Sequence, residues 1–144
     1  IEYTDKDNSR KRPVMLHRTV YGSLERFIGV LIEHTKGRLP TWLAPIQVRV
    51  LNFTDRNEKS ARKIVEQLGK KIPDLRIDAD FTQTTLQSKV KDAEIMKIPY
   101  IIVIGDREEK EGNLAVRVKG NKSIEIIALE QFAESLKREV LERN

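Results

Sequence analysis

The sequence predicts an α/β fold, with a mixed, mostly parallel sheet of about five strands flanked by helices. From residue 46 to residue 105, strand-like and helix-like apolar patterns alternate in the order β-α-β-α-β. Within this stretch, the segment 99–105 (PYIIVIG) is continuously apolar, as expected for a central strand that is buried on both faces. A pair of strands and a final helix follow, so we expect right-handed crossovers and an antiparallel edge.

The composition is that of a globular domain with a heavily charged surface, since 39% of the residues are hydrophobic and 34% are charged. No run approaches 18 apolar residues, which predicts no membrane span and no membrane partner. The absence of cysteine excludes disulfides and fits a cytoplasmic protein. The net charge of +5 falls to +2 for residues 46–144, so any RNA site there must be a local patch.

The first element predicted is a strand that follows a polar segment. Residues 1–13 are polar and start without a helix cap. This pattern is typical either of a frayed terminus or of a chain cut inside a larger domain, and we favour the second interpretation. Residues 14–21 (VMLHRTVY) then have the composition of a strand.

A helix is predicted after this strand. Gly22-Ser23 interrupts the strand pattern, and a serine there can cap a helix. The apolar residues that follow recur at helical spacing: Leu24, Phe27, Ile28, Leu31 and Ile32. Gly37 ends the pattern. The segment 39–45 (LPTWLAP) has two prolines and no periodicity, which predicts a linker.

A second unit opens with a strand at 46–53 (IQVRVLNF). Asp55 and Glu58 have the spacing of a capping box. The helix that they introduce has one apolar face, formed by Ala61, Ile64, Val65 and Leu68. Gly69 is predicted to end this helix, and the segment 75–81 (LRIDADF) alternates as a half-buried strand does.

The remaining elements follow the same logic. Thr84 or Thr85 can cap the next helix, whose core residues are predicted to be Leu86, Val90 and Ala93. After the central strand, the charged run 107–111 (REEKE) is predicted to be a solvated turn. Leu114, Val116 and Val118 alternate in the next strand, and Gly120-Asn121 marks a turn before a short strand at 123–127. The last helix has an apolar stripe formed by Leu129, Phe132, Ala133, Leu136 and Val140.

One segment has the composition of a nucleotide-binding turn: the string 17–34 (HRTVYGSLERFIGVLIEH). Gly22 stands between a strand and a helix, where a glycine lets a flat ring approach the backbone. Arg26 lies in the first turn of the helix and offers a planar fork of donors for phosphate oxygens. On spacing alone, the simpler interpretation of Arg26 is a surface arginine on an amphipathic helix.

This string resembles motif 3 of class II aminoacyl-tRNA synthetases, in which a glycine-bearing strand runs into a helix that opens with Glu-Arg. Together with 40–48 (PTWLAPIQV) it is similar to threonyl-tRNA synthetases in particular, and the similarity continues with interruptions to Arg117. The resemblance implies three segments: a C-terminal remnant of the class II catalytic domain at 1–38, a linker at 39–45 and an anticodon-binding domain at 46–144.

For the full-length protein, the resemblance implies a threonine–tRNA ligase that charges tRNA(Thr) with threonine in an ATP-dependent reaction. Such an enzyme uses Zn²⁺ and Mg-ATP and is a homodimer. Its partners are threonine, ATP and the anticodon loop of tRNA(Thr). This fragment alone is expected to be inactive and to have no cofactor bound.

The resemblance assigns roles to four residues of the string. Arg26 matches the catalytic motif 3 arginine that holds the γ-phosphate of ATP. Gly22 matches a glycine beneath the adenine, and Ser23 lies close to that pocket. His17 matches the third protein ligand of the family's zinc ion. Because the sequence has no cysteine and its other histidine, His34, falls on the far side of the helix, one zinc ligand of three is present.

The resemblance also implies four residues that read the tRNA anticodon: Gln83, Lys91, Glu108 and Arg117. Glu108 and Arg117 agree with the family pattern (GDRE and AVRV). Gln83 and Lys91 replace an Asn and an Arg, and the usual Arg-Asn-Glu run is replaced by TQTT at 82–85. Lysine keeps the charge but loses the bidentate fork. Both Glu108 and Arg117 can also be interpreted as exposed turn and strand charges.

Two aromatic residues have two interpretations each. Phe53 and Phe81 follow strands and can stack on RNA bases, but buried core aromatics are at least as common. Two other functions also fit parts of the chain. A non-catalytic tRNA-binding paralogue fits the altered 82–85 segment, and a flavodoxin-like domain for a small ligand fits the order of elements but not residues 13–45.

Overall fold

The computed structural model describes residues 1–120 and 123–143. The chain divides into two compact units, an N-terminal unit (Ile1–Leu31) and a C-terminal unit (Ile32–Asn144). The turn predicted at Gly120-Asn121 lies partly outside the described residues, although Gly120 has a positive φ of 81°. Within the described part of the chain, no helix has the length and apolarity to cross a membrane.

The N-terminal unit contains a small hairpin that the sequence analysis did not predict. Strands β1 (Tyr3–Thr4) and β2 (Arg10–Lys11) pair antiparallel. The turn between them is closed by Asp5, whose N–H donates to the Ser9 carbonyl at 2.9 Å, and by Asn8, which has a positive φ of 61°. Aspartate and asparagine favour such turns, so the signal was present in the polar segment.

The strand predicted at 14–21 is wrong, because residues 12–19 have no regular secondary structure and residues 20–22 form a bend. A strand is defined by its hydrogen bonds to a neighbour, and no described strand pairs with this segment. Its apolar side chains are exposed, at 88% for Val14 and 89% for Leu16. Strand composition alone therefore did not determine the conformation.

The helix predicted after Ser23 is confirmed as α1 (Leu24–Thr35). Ser23 caps it, since its hydroxyl accepts from the Arg26 N–H at 3.3 Å. The helix ends where Lys36 and Gly37 take positive φ values, as the glycine predicted. None of its residues is buried within the described chain: Leu24, Ile28 and Ile32 are exposed, and Phe27 and Leu31 are half-buried.

The predicted mixed sheet is confirmed in the C-terminal unit. Its five strands, in the spatial order β4-β3-β5-β6-β7, are β3 (Val48–Asn52), β4 (Ile77–Asp80), β5 (Tyr100–Ile104), β6 (Asn113–Val118) and β7 (Ile124–Ala128). Strand β3 pairs parallel with β4 and β5, whereas β5–β6 and β6–β7 are antiparallel. The continuous apolar run is the central strand β5, as predicted.

Four helices accompany this sheet: α2 (Glu58–Lys71), α3 (Leu86–Ile95), α4 (Asp106–Glu111) and α5 (Leu129–Glu142). The predicted capping box of Asp55 and Glu58 is wrong, because a 3-10 turn over Asp55–Asn57 precedes α2. The Asn57 side chain accepts instead from the N–H and hydroxyl of Thr54, at 3.3 and 2.7 Å. Gly69 does not end α2, which runs on to Lys71 before the extended residue Ile72.

The solvated turn predicted at 107–111 is also wrong, because this run lies in α4. Three acidic residues fall in the first turn of α4, where they oppose the positive end of the helix dipole. Gly112 ends the helix with a φ of 69°, a conformation that favours glycine. The acidic residues at its start therefore favour a short exposed helix over a turn.

Apolar cores lie on both faces of the sheet. One core contains residues of β3, β5 and β6 with α2 and α5, including Leu68, Ile102 and Leu136. The second core contains Leu51 and Ile101 with residues of α3. The apolar positions predicted for α2, α3 and α5 all lie in these cores or pack against them. Burial on both faces explains why β5 has no polar alternation.

The segment 39–45 packs against the sheet through its backbone. Gln47, which is 1% exposed, donates to the Thr41 carbonyl at 3.0 Å, and Arg76 donates to the carbonyls of Trp42 and Ala44 at 2.6 and 2.8 Å. Thr41 in turn donates its hydroxyl to Glu139 of α5 at 2.5 Å. Segment 39–45 is therefore bound to the sheet and to α5 of the C-terminal unit to which it belongs.

Candidate functional site

A groove lies at the carboxyl ends of the parallel strands β3 and β5. Its volume is about 750 Å³. Phe53, directly after β3, donates its N–H to the Ile104 carbonyl at 2.9 Å, so the two strand ends are tied together. We call this space the strand-end groove, and its lining includes Phe53, Leu86, Val90, Glu108, Arg117, Ile124 and Ile126. Open α/β sheets bind their ligands at this edge.

Glu108 lies in the strand-end groove with its carboxylate fixed by the backbone. Its Oε2 accepts the N–H of Gly105 at 3.0 Å. A side-chain carbon at Gly105 would lie 2.9 Å from that oxygen, so only glycine leaves the carboxylate in its place. The second carboxylate oxygen, Oε1, has no hydrogen-bond partner among the described residues. An acceptor with one free oxygen can receive the N–H of an RNA base.

Helix α4, which carries Glu108, is anchored at its other side by a buried asparagine. Asn57 is 0% exposed and donates to Asp106 at 2.8 Å and to Glu109 at 3.0 Å. Ser60 donates to Glu109 as well, at 2.6 Å, and these two bonds hold the pKa of Glu109 below its ordinary value. This polar anchor explains how a six-residue exposed helix can position a side chain.

Arg117 lies where the strand-end groove meets a second pocket. It projects from β6 opposite Ile101 of β5. Its guanidinium donates to Glu94 of α3 at 3.2 Å, and its side chain is 30% exposed. The second pocket, of about 420 Å³, is lined by Lys91 as well as by Arg117. The structure therefore brings Glu108 and Arg117 to one groove, and Arg117 and Lys91 to the adjacent one.

Gln83 is exposed and lines neither of these two pockets. It belongs to the segment 82–85, whose conformation is held by Asp80. That carboxylate accepts the N–H and hydroxyl of Thr82 at 3.0 and 2.6 Å. Burial alone would raise the pKa of Asp80, but the Thr82 bonds and the charges of Lys89 and Arg49 together lower it.

Lys89, which the sequence did not single out as a site residue, is a buried cation near the ends of β3 and β4. Lys89 is 2% exposed and donates to the Asn52 side chain at 2.7 Å. Its position, three residues after Leu86 and four before Ala93, puts it on the buried face of α3, so helical spacing was the available signal. The same Asn52 side chain also donates to the Thr54 carbonyl at 3.0 Å, so Lys89 is linked to the backbone after β3.

The two aromatic residues after strands have different environments. Phe53 is 58% exposed, so the buried interpretation is wrong for it. Phe81 packs against the core, and the Arg62 guanidinium lies 4.6 Å from the centre of its ring. For Phe81 the structure therefore supports the interpretation as a core aromatic. Ile124 and Ile126, at 54% and 58% exposed, add apolar surface to the strand-end groove and were not predicted to line a site.

In the N-terminal unit, Gly22 lies in a tight turn before α1. It has a φ of 70°, and its N–H donates to the Thr19 hydroxyl at 3.1 Å. Apart from its two neighbours in the chain, no described residue has an atom within 4 Å of where a side chain would start. Ser23 donates its hydroxyl to Glu25 at 2.6 Å, which lowers the pKa of that carboxyl, and Arg26 is exposed one turn into the helix.

His17 is exposed in the segment without regular structure. Within residues 1–120 and 123–143, no three side chains of His, Asp or Glu lie close enough together to hold a metal ion, and the sequence contains no cysteine. The donors of this chain alone therefore do not fit a zinc site, and we derive no chemical step through such an ion.

Comparisons with known proteins agree with this geometry. Residues 47–139 match the family model described as "Anticodon binding domain". A threonine–tRNA ligase of a Polaromonas species is 44% identical over 99% of this chain and 22% of its own length. The threonine–tRNA ligase catalytic subunit of Saccharolobus islandicus is 42% identical over 100% of this chain and 26% of its own. The chain thus spans about a quarter of these relatives.

A solved structure shows the same arrangement of elements. The RNA-binding domain of threonyl-tRNA synthetase from Cryptosporidium parvum superposes with a TM-score of 0.77 at 27% identity. The match covers 95% of this chain and 34% of that structure. The resemblance to threonyl-tRNA synthetases that the motif 3 string indicated is therefore confirmed.

Proposed function

We propose, from the premise that this chain belongs to the anticodon-binding domain family, that its C-terminal unit binds the anticodon loop of tRNA(Thr). The observation that carries the proposal is that Glu108 and Arg117 both line one groove at the strand ends. Splayed bases of a single-stranded loop expose edges that such groups can read.

Each group supplies a different part of the recognition. The free oxygen of Glu108 accepts an N–H of a base, while Arg117 donates to base oxygens and nitrogens. The exposed ring of Phe53 offers a stacking surface beside them, which adds affinity without sequence preference. Lys91 contributes charge next to Arg117, and Gln83 lies on a loop outside the groove, where it contacts a further nucleotide.

For the longer protein, we propose the activity of the relatives, namely the ATP-dependent attachment of threonine to tRNA(Thr) in the cytoplasm by a homodimer. In this proposal residues 1–38 belong to the catalytic domain and residues 46–144 form the anticodon-binding domain. Residues 39–45 are the linker between these two domains. The exposed turn at Gly22 and Ser23 is open on the side where a side chain at Gly22 would start, and the adenine ring lies there in this proposal, while the exposed guanidinium of Arg26 binds phosphate. His17 contributes one zinc ligand, the others coming from elsewhere in the full-length protein.

The proposal is tested by binding of the 144-residue chain to a tRNA(Thr) anticodon stem-loop, measured by fluorescence anisotropy. We expect tighter binding of the cognate loop than of a loop with scrambled anticodon. Replacing a charge-assisted hydrogen bond costs about 1.5–3 kcal/mol, so Glu108→Gln and Arg117→Gln should each weaken cognate binding about 10- to 100-fold. The scrambled loop should be affected less by Glu108→Gln.

Lys137→Gln serves as the matched control, because Lys137 is exposed on α5 and lines none of the described pockets. It should leave the preference for the cognate loop unchanged. Equal affinity of the unmodified chain for both loops would contradict anticodon recognition and leave only attraction between charges.

A further inference from the structure

The pocket beside the strand-end groove is strongly cationic. Five basic side chains line it against a single acidic one, Glu94; the basic residues are Arg38, Lys91, Lys97, Arg117 and Lys119. They come from four separate parts of the C-terminal unit: the segment after α1, helix α3, the turn that follows it, and strand β6 with its end. We call this space the basic pocket.

The chain segments that supply the basic pocket approach one another closely. A side-chain carbon at Gly37 would lie 3.8 Å from the Lys97 side chain, and one at Gly120 would lie 3.9 Å from the Arg38 guanidinium. Burial, together with the neighbouring charge of Arg38, holds the pKa of Lys119 below its ordinary value. The segment containing Arg38 therefore lies beside the turn of Lys97 and the end of β6, with the charges of Arg38 and Lys119 near each other.

Few of these charges are neutralised by the protein. Glu94 pairs with Arg117 at 3.2 Å, and Lys119 donates to the Leu39 carbonyl at 2.6 Å. Within residues 1–120 and 123–143, neither Arg38 nor Lys97 takes part in an ion pair. Unpaired cations that are concentrated in a concave surface attract anions. A bound anion reduces the electrostatic repulsion among these cations.

We propose that the basic pocket binds a backbone phosphate of the RNA whose bases enter the strand-end groove, with Arg38 and Lys97 as its principal ligands. The proposal rests on the proposed function, since it requires an RNA in the adjacent groove. Arg117 lines both spaces, so a nucleotide read in the groove has its neighbouring phosphodiester within reach of the pocket. The ligand is a phosphodiester, which Arg38 contacts through its planar fork and Lys97 as a point charge.

The test is the salt dependence of binding of the 144-residue chain to the tRNA(Thr) anticodon stem-loop. Each cation that neutralises a phosphate of a single strand contributes about 0.7 to the slope of log affinity against log salt. The double variant Arg38→Gln/Lys97→Gln should lower the slope by about 1.4 and weaken binding about tenfold or more at low salt. Lys119 is left in place because its bond to the backbone has a structural role.

Two controls separate the phosphate contact from other effects. Lys137→Gln removes one exposed cation far in sequence from the pocket and should leave the slope nearly unchanged. In a series of stem-loops, each with one neutral methylphosphonate linkage at a different loop position, one position should weaken binding of the unmodified chain several-fold. At that position, the double variant should show no further loss, because it has already lost the contact.

The outcomes distinguish this proposal from the proposed function. If the unmodified chain prefers the cognate loop but the double variant keeps the same slope and the same methylphosphonate response, the phosphate site is wrong and anticodon recognition stands. If the slope falls as expected but cognate and scrambled loops bind equally, the phosphate site stands and base recognition fails. A chain that binds neither loop overturns both. Circular dichroism checks that the double variant, whose replaced residues are exposed, is folded.

Discussion

Tyr100 is a polar residue whose environment determines how stability depends on pH. Its hydroxyl donates to Glu139 at 2.5 Å, and its ring packs edge-to-face on Phe132 with centroids 5.4 Å apart. Burial and the Glu139 carboxylate both disfavour the tyrosinate, so the pKa of Tyr100 is raised above its ordinary value near 10. The folded state therefore retains this proton at a pH where the unfolded chain loses it.

From this shift we expect the free energy of unfolding to fall as pH rises above about 10, since the contribution of Tyr100 is fully present only below that pH. The Tyr100→Phe variant keeps the ring contact but loses the hydrogen bond, at a cost of about 1.5–3 kcal/mol at pH 7. Urea unfolding between pH 7 and 11 should show the difference between the two proteins shrinking as pH rises. A constant difference across this range would contradict the assignment.

Gln47 gives a second prediction at the residue scale. It is buried, donates to the Thr41 carbonyl at 3.0 Å and accepts the Arg76 N–H at 3.0 Å. Gln47→Leu leaves both backbone groups without these partners, so we expect a loss of about 2 kcal/mol or more in urea unfolding. The control, Gln67→Leu on the exposed side of α2, should change stability by less than about 0.5 kcal/mol. Equal effects of the two substitutions would contradict the role of buried partners.

Some of these residues could be recognised from the sequence and others could not. Glu108 and Arg117 stood out through local motifs that need no knowledge of distant contacts. The burial of Gln47 depends on segment 39–45 and on Arg76, which lies 29 residues away, so no local pattern reports it. Lys89 is intermediate, because its spacing indicated the buried face of α3 but its charge argued against burial.

At the scale of elements, α4 is positioned by contacts at both of its sides. Gly105 precedes it with a φ of −117°, which any residue adopts, so the need for glycine there comes from the adjacent Glu108 carboxylate and not from the backbone. A substitution at Gly105 can therefore displace the Glu108 carboxylate without unfolding α4.

Gly105→Ala tests this separation of function from stability. The added carbon would meet Glu108 Oε2 at 2.9 Å, and the end of a flexible side chain moves at little cost. We expect the free energy of unfolding to change by less than about 1 kcal/mol, while the preference for the cognate stem-loop falls about tenfold. Gly69→Ala, in an exposed turn of α2 with no atom within 4 Å, is the control and should leave binding unchanged. Unaltered discrimination by Gly105→Ala would show that the position of Glu108 is unimportant.

Which elements could be predicted depended on whether their partners are local in sequence. The strands and helices of the C-terminal unit followed from periodicity, because each buries one face against a core built within the same unit. The strand expected at 14–21 failed because a strand needs hydrogen-bonded neighbours, and none of the described strands is one. The run 107–111 has no apolar residue, so its sequence indicates a turn, and the acidic start that favours a helix there is the weaker signal.

For the whole molecule, the division into two units raises the question of where the independently stable part begins. The sequence predicts a domain at 46–144, whereas the compact C-terminal unit starts at Ile32. The segment between these points is bound by hydrogen bonds from Gln47, Arg76 and Lys119. These bonds connect it to the sheet, and a chain without it would lose all of them.

Two shortened chains decide this point. A chain of residues 32–144 should unfold with a free energy within about 1 kcal/mol of that measured for the C-terminal unit in the 144-residue chain. A chain of residues 46–144 should lose about 3 kcal/mol or more, at about 1 kcal/mol for each lost hydrogen bond. Urea unfolding followed by circular dichroism measures both. Equal stability of the two chains would place the boundary at residue 46, as the sequence predicts.

Segment 39–45 also contains the single tryptophan of the sequence, Trp42. Its carbonyl is held by Arg76 at 2.6 Å, and the Arg143 guanidinium lies 5.8 Å from its ring. Its fluorescence emission therefore reports the attachment of this one segment, while circular dichroism reports the sheet and helices. If segment 39–45 detaches before the sheet unfolds, the emission maximum will shift to longer wavelength at a lower denaturant concentration than the ellipticity changes. The chain thus carries its own optical probe for the docking of segment 39–45 on the sheet of the C-terminal unit.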